Sequence, residues 1–590
     1  MRLADFVFEF LADHGADKIF MVTGRGALFL TDAVAKSKRL AVVCTHHEQA
    51  AAYAATARAQ FNNTLGICLV STGCASTNAI TGVLNAYQDG LPVLFISGQN
   101  VLNETTYFTG HKIRTYGQQE ANIVEIIKPI TKFSVMLTDP RNIKRQLQEA
   151  IYLANDGKKG PVWIDIPLDL QSAQIEPNDL QDFVPTTVDI QAPEVDIAYL
   201  KDALSSSIRP LLLIGSGVRS ANVIEQFSKF AEVNQLPVVV TPSSSDCYPL
   251  SHQLSIGSLG SMGCSRAGAF AVQNADCIIV LGNRLSSITT GIDFWKFARN
   301  AKLIVIDIDE NEHKKYDLSI DRIILQDLRF LFERLSLERL TIDTTEWVTK
   351  CVHWKTFFAH EPHFLSNERV DLYELTNSLS THLDDDAIII TDSGLIEVIL
   401  PSNLNFGKKR RMIHPFSQGA MGFAIPAVLG VADTGRQIVV VVGDGSFMMN
   451  MQELETIRAH KIPLKLFVVN NNVYSIIRRR QKELFRNRTI GTDPGNGVTV
   501  PNFQKVANLF DFNYVHVEEP GQLESRIKMV LKSEGSFLCE IMGKEDQEYI
   551  EISHARNISG KFVRRPLEDQ WPFLDREVFL SEMIVEPIDQ

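Results

Sequence analysis

The run Val441-Val-Gly-Asp-Gly-Ser-Phe-Met-Met-Asn-Met-Gln-Glu-Leu454, closed by Phe467-Val-Val-Asn-Asn-Asn472, restricts the possible folds more than any other part of this chain. The unbroken apolar residues before Gly443 and before Asn470 read as strands buried on both faces, as in a parallel sheet. Between them lie a glycine turn carrying Asp444 and an amphipathic segment expected to begin a helix near Ser446. Such a crossover returns both strand ends to one sheet edge, so Asp444 and Asn471 should meet there. Mg2+ takes oxygen ligands in octahedral array, few from protein and several from phosphate and water, and one carboxylate with one amide suits it. Gly443 and Gly445 let backbone approach a phosphate, and the amides near Ser446 would face an anion. The local reading is a metal-bridged diphosphate site, and the competing reading of Gly-Asp-Gly by itself is a plain strand-end turn.

A chain of 590 residues is too long for one core and calls for three or four domains. Residues 1–185 alternate helical patterns with apolar runs such as Leu65-Gly-Ile-Cys-Leu-Val70 and Val162-Trp-Ile-Asp-Ile166, which argues for an α/β domain with a doubly wound parallel sheet. A polar stretch, Ala173 to Asp196, reads as a linker. A second α/β unit, 190–345, carries runs such as Cys277-Ile-Ile-Val-Leu281 and Leu303-Ile-Val-Ile-Asp-Ile308. A charged, strand-poor separator from Thr341 to Glu368 precedes a third unit, 366–545, with the diphosphate run, and 546–590 reads as a C-terminal arm. The formal charge of −12 argues against nucleic acid or an anionic membrane as partner. No apolar run is long enough to span a bilayer and the N-terminus has no secretory character. Eight cysteines without a Cys-x-x-Cys pair suggest neither a zinc site nor a disulfide framework, so a reducing cytoplasm is expected.

Asp444 followed by the paired asparagines resembles the thiamine diphosphate signature, which implies Asp444, Asn471 and the backbone carbonyl of Val473 as Mg2+ ligands. Upstream, His46-His-Glu-Gln49, then Ser71-Thr-Gly-Cys-Ala-Ser-Thr-Asn78, then Asp89-Gly-Leu-Pro-Val-Leu-Phe-Ile-Ser-Gly98 are similar to the pyrimidine-binding domain of the acetolactate synthase family. The resemblance continues through Gly160-Pro-Val-Trp-Ile-Asp-Ile-Pro167, Val305-Ile-Asp-Ile-Asp309 and Gly419-Ala-Met-Gly-Phe-Ala-Ile-Pro426. It implies that Glu48 bonds the aminopyrimidine and favours its imino form, with Gln119 beside it in the catalytic set. Asn78, Gly443, Gly445 and Ser446 join the cofactor contacts. The carbonyl of Gly419 would accept from the exocyclic amine, and Met421 would hold the cofactor bent. By itself Glu48 could equally cap the Ala-rich helix that follows it. In such apolar company it should have a raised pKa if it is buried. In this family a 2-oxo acid loses carbon dioxide and its two-carbon unit is joined to an acceptor carbonyl. Family members build the site between subunits, so a homodimer or homotetramer is implied.

The resemblance breaks at the acceptor pocket. Where acetolactate synthases carry a Phe, a Lys, an Arg and a Trp, this chain has Gln118, Leu168, Ile288 and Arg480, and Ile476 is counted in the same pocket. Loss of the Lys and Arg removes two cations able to recognise the carboxylate of a second 2-oxo acid. Another departure, Arg25 in Val22-Thr-Gly-Arg-Gly-Ala27, replaces a glycine and is open to two readings, a carboxylate grip or a surface ion pair. The tail Arg564-Arg-Pro-Leu-Glu-Asp-Gln-Trp-Pro-Phe-Leu-Asp-Arg576 is similar to acetolactate-synthase-like enzymes of nucleotide-sugar pathways. Arg478, Arg479 and Arg480 would suit a diphosphate in such an acceptor. In the middle unit Gly215-Ser-Gly217 is a weak dinucleotide signal. With Gly257–Gly263, Arg284 and Asp307 it resembles the family's FAD-binding domain, which implies FAD, ADP or an empty domain. The expected activity is thus decarboxylation of pyruvate and transfer to a ketone or keto-sugar acceptor. Acetolactate formation is the alternative, and an idle cofactor-binding subunit or an oxalyl-CoA-type decarboxylase are more distant ones.

Overall fold

The computed structural model describes the chain except residues 187–189, 316, 360–367, 557–558 and 589–590. Parts of the expected linker, separator and arm therefore lie outside the described residues. The rest contains three six-stranded sheets, all parallel, as long apolar strands covered on both faces require. In the first, β1 (Lys18–Met21), β2 (Ala41–Cys44), β3 (Gly66–Val70), β4 (Val93–Gln99), β5 (Phe133–Met136) and β6 (Val162–Pro167) run in the order β2-β1-β3-β4-β6-β5. The second holds β7 (Pro210–Ile214), β8 (Val238–Val240), β9 (Ser255–Ser258), β10 (Cys277–Leu281), β11 (Lys302–Asp307) and β12 (Arg322–Leu325), ordered β12-β11-β10-β7-β8-β9. The third holds β13 (Ile388–Thr391), β14 (Arg411–Ile413), β15 (Ile438–Gly443), β16 (Lys465–Asn470), β17 (Asn513–Val517) and β18 (Phe537–Met542), ordered β14-β13-β15-β16-β18-β17.

The outer sheets share one topology, with the strand order reversing between the first and third strands of each. The middle sheet has the order of a dinucleotide-binding fold and reverses between β7 and β10. Ligands in open parallel sheets bind beyond the carboxyl ends of the strands at such reversals. Those three places are where the functional candidates gather.

The N- and C-terminal domains share one continuous core, made where the Ala-rich helix Glu48–Asn62 lies against Ala424–Val431. Small residues permit this close approach: a Cβ on Gly430 would sit 2.5 Å from the Ala54 carbonyl and 2.8 Å from the Arg58 amide. Buried Arg58 bridges to Asp17 and to Asp433, the latter at 3.0 Å.

One expectation needs correction. The segment after Gly443 is not one helix: a single turn, Asp444–Phe447, is followed by bends and then Glu453–Ala459. Part of the charged separator is a packed helix, Thr345–Phe357, because Trp347, Cys351 and Trp354 on one face enter the central core. The arm is also anchored there, by Leu567 and Phe579 and by buried Glu568 and Asp569, which pair with Arg299, Arg565 and Arg576.

Candidate functional site

At the reversal between β13 and β15, Asp444 leaves β15 with its side chain 3% exposed. Its carboxylate accepts from the amides of Gly445 at 2.8 Å and Asn472 at 2.6 Å. Burial nevertheless pushes its pKa up to about 6, because no cation among the described residues pairs with it. Asn471 donates to Ser475 Oγ at 2.8 Å, while its Oδ1 accepts only a long bond, 3.3 Å, from the Val473 amide. Asn472 supports the turn in a left-handed conformation, φ 55°. A desolvated carboxylate lacking a counter-ion, beside an amide oxygen, is a donor set suited to Mg2+. Space exists for a diphosphate as well, since a Cβ on Gly443 would meet nothing within 4 Å. Gly445 is glycine for another reason: a Cβ there would overlap the Tyr474 ring. The one-turn helix supplies no extended helix N-terminus at Ser446, so turn geometry and the metal ligands carry the anion reading.

The same edge fixes the Gly419–Gly422 turn. Gly419 has φ 55° and its carbonyl has no donor among the described hydrogen bonds. The Gly422 amide lies 3.0 Å from both Asp392 Oδ2 and Ser446 Oγ, so the turn bearing Met421 is tied to the diphosphate turn. Asp392 is a residue the sequence reading missed. It is fully buried at the end of β13, burial pushes its pKa to about 6, and its Oδ1 is unpartnered. The available signal was a carboxylate directly after an apolar strand. Glu397 was missed too, although its carboxylate lies 3.0 Å from where a Gly419 Cβ would be.

At the reversal between β1 and β3, Glu48 opens its helix but does not cap it; His47 does, accepting from the Gln49 amide at 3.1 Å. Glu48 is half-buried rather than enclosed, and its Oε2 accepts from Asn78 Nδ2 at 2.9 Å. Gln119 has φ 59° and its carbonyl lies against Gly73, where no Cβ would fit. Arg25 donates to Gln118, whose carbonyl accepts from Asn100 Nδ2 at 3.0 Å, and the Asn100 carbonyl accepts from the Leu168 amide at 3.3 Å. Arg25, Gln118 and Leu168 therefore share one edge. Ile476 and Arg480 lie on the helix Ser475–Leu484 of the C-terminal domain.

The arginine triplet is largely engaged. Arg478 is buried and binds Glu545 and Asp546 at 3.0 Å each. Arg479 stacks on Tyr549 and Trp571 and pairs with Glu551, and Arg480 shares Glu483 and Glu551 at 3.0 and 3.4 Å. The acids that engage it, Glu545, Asp546 and Glu551, come from beyond the last strand of the C-terminal sheet.

At the reversal of the middle sheet a cavity of about 520 Å³ is lined by Gly215, Arg284, Asp307 and also Ile288. Its size is that of a nucleotide-scale site. Arg284 spans all three domains, donating to the Gln88 carbonyl at 3.0 Å and to Ser417. Asp307 accepts from the amides of Ile308 and Asp309 and pairs with His313 at 3.0 Å. Ile288 lines this cavity and is partly exposed.

Three family models match the chain: the N-terminal TPP binding domain of thiamine pyrophosphate enzymes over residues 1–126, their central domain over 197–335 and their C-terminal TPP binding domain over 392–541. The acetolactate synthase large subunit of Lactococcus lactis is 30% identical over 551 residues, covering 92% of this chain and 93% of that protein. The large subunit from Corynebacterium glutamicum is 31% identical over 523 residues, 85% and 80% of the two chains. Acetolactate synthase 1 of Zea mays is 29% identical over 556 residues, 91% and 85%.

Proposed function

This chain belongs to the thiamine diphosphate-dependent enzymes of the acetolactate synthase type, carboligases with a decarboxylase half-reaction, and on that premise we propose that it decarboxylates pyruvate and joins the two-carbon unit to a second 2-oxo acid. The observation that carries the cofactor assignment is the buried, uncompensated Asp444 beside Asn471 and the open space at Gly443. Asp444, Asn471 and the Val473 carbonyl would hold Mg2+. When bound, thiamine diphosphate supplies the electron sink for breaking and making the carbon–carbon bonds. The chain's own residues would orient it: Met421, on a turn fixed by Asp392 and Ser446, would shape the bound conformation, the Gly419 carbonyl would accept from the amine, and Glu48, held by Asn78, would exchange a proton with the ring. The relatives named acetolactate synthase support the 2-oxo acid as acceptor.

A ketone or keto-sugar nucleotide acceptor is the second reading, favoured by the neutral Leu168 and Ile288. Arg478 and Arg479 lend it little support, being tied to Glu545, Asp546 and Glu551. The nucleotide-scale middle cavity supports FAD, or an adenine nucleotide, as a further ligand. A second copy of the chain would complete the site, covering apolar residues that stand exposed near both edges: Phe108 and Tyr116 on one, Met449 and Ile477 on the other. Eight unpaired cysteines fit work in a reducing cytoplasm.

The test is product analysis by mass spectrometry of enzyme, thiamine diphosphate, Mg2+ and pyruvate, with and without a neutral ketone or keto-sugar nucleotide. Acetolactate as the main product from pyruvate alone is expected. Carbon–carbon bond formation only when the second acceptor is present would replace this reading with the other.

A further inference from the structure

Resting on the 2-oxo acid acceptor reading, we propose that Arg25 is the cation that takes the acceptor's carboxylate, set in place by Gln118. Both residues depart from the family pattern, where a glycine and a Phe are usual, and in this structure the two departures touch: the guanidinium donates to Gln118 Oε1. A new donor and a new acceptor that meet each other form a unit.

The backbone beneath Arg25 is rigid. The Gly26 amide donates to Ser71 Oγ at 3.0 Å, and the Gly26 carbonyl accepts from buried Gln171 at 2.6 Å. A Cβ on Gly24 would stand 2.5 Å from Ser71, so the loop lies directly on the end of β3. The side chain, in contrast, is exposed and has no ion-pair partner among the described residues. Four acids of this edge accept from neutral donors, and a fifth, Glu104, is exposed and forms no ion pair with Arg25. Glu48 is held by Asn78, Glu120 by Thr106 and the Tyr116 amide, Asp165 by Ser97 and Gln99, and Asp169 by the Leu102 amide. A preorganised cation is thus left without a counter-charge at a sheet-reversal crevice, and an incoming anion supplies it.

Chemistry selects the acceptor over the donor. The donor's carboxylate departs as neutral carbon dioxide, so an ion pair made to it is lost on the way to the transition state and opposes the step. The acceptor's carboxylate keeps its charge from binding to product, and an Arg fork holds it while the neighbouring carbonyl carbon is attacked. Arg25 would then do from the N-terminal edge what the Lys and Arg replaced by Leu168 and Ile288 could do elsewhere.

The experiment measures, in full-length enzyme, the ratio of ligation rates onto a 2-oxo acid and onto a smaller, uncharged aldehyde, propanal, with pyruvate as donor. Being internal to each variant, the ratio does not depend on how much active protein is recovered. Arg25→Ala is expected to lower it by roughly 10- to 100-fold, the value of one charged hydrogen-bonding contact. Gln118→Ala should lower it less, and Arg25→Lys should recover most of it. An unchanged ratio in Arg25→Ala, with wild-type enzyme making the acid product, overturns this role while leaving the function standing. Wild-type enzyme that ligates propanal but no 2-oxo acid overturns both.

Discussion

The two outer domains have the same strand order, yet their functional edges are built in opposite ways. Beyond β15 the C-terminal edge is closed: Asp444, Asp392 and Ser446 are buried and bonded to backbone amides. Beyond β1 the N-terminal edge is open, with Arg25 exposed, Glu48 half-buried and Gln118 held by single bonds. The same topology thus serves a buried edge in one domain and an open face in the other. Burial raises the pKa of Asp444 and Asp392 at the closed edge, whereas Arg25 at the other edge stands exposed.

The comparison is broken most sharply by Glu48→Ala. Turnover should fall by ~10²–10⁴-fold, the usual worth of a positioned proton-transfer group. Deuterium exchange at the cofactor's thiazolium C2, followed by NMR, should slow with it; normal exchange would mean that the open edge does not act on the cofactor. Asp444→Asn keeps the shape of the cradle and removes its charge. Titration of Mg2+ in the presence of thiamine diphosphate should show affinity weaker by roughly 100-fold, as for a lost contact to a charged group.

Arg479→Ala probes how far the closed edge depends on the arm. Removing the partner of Glu551 and the cation stacked on Tyr549 and Trp571 should destabilise the docked tail by ~3 kcal/mol, seen as faster proteolysis beyond residue 545. Arg25→Ala, lacking any such network, should change stability by no more than ~0.5 kcal/mol. Equal effects would erase the contrast between the two edges.

The smallest effect concerns Asp165, buried beneath the open edge and pushed up by burial to about 7 despite bonds from Ser97 and Gln99. An acid whose folded-state pKa is raised stabilises the protein while protonated, so its contribution is complete below the unfolded value near 3.9 and is lost as pH rises through about 7. Thermal unfolding should therefore move to lower temperature between pH 5 and 8 in this domain, ~2–4 °C for each kcal/mol, and Asp165→Asn should flatten that slope.

Much of this was legible because parallel strands buried on both faces announce themselves as apolar runs. β13, β15 and β16 could be read directly, and with them the place where Asp444 and Asn471 converge. The strands that escaped were mostly at sheet edges, such as β9, β12, β14 and β17; β12 buries only Ile324, so its sequence lacks the pattern. Asp392 and Asp165 were visible as acids attached to or inside apolar strands, but their partners come from distant loops. The fate of the arginine triplet was only partly legible: Glu483 lies one helical turn from Arg479 and Arg480, but Glu545, Asp546 and Glu551 come from beyond the last strand of the sheet. Arg25 was visible as an oddity in a glycine turn, and only its contact with Gln118 gives it a direction.

The most direct test of the account is complementation between chains. Glu48→Ala and Asp444→Ala, each inactive alone, would be co-expressed and assayed for acetolactate formed from pyruvate. If the open edge of one copy works on the cofactor cradled by another, mixed dimers carry one intact site and about a quarter of wild-type activity should return for random pairing in a symmetric dimer. Activity that stays at the level of the separate variants, with mixed dimers present, would contradict a site shared between the two edges of different subunits.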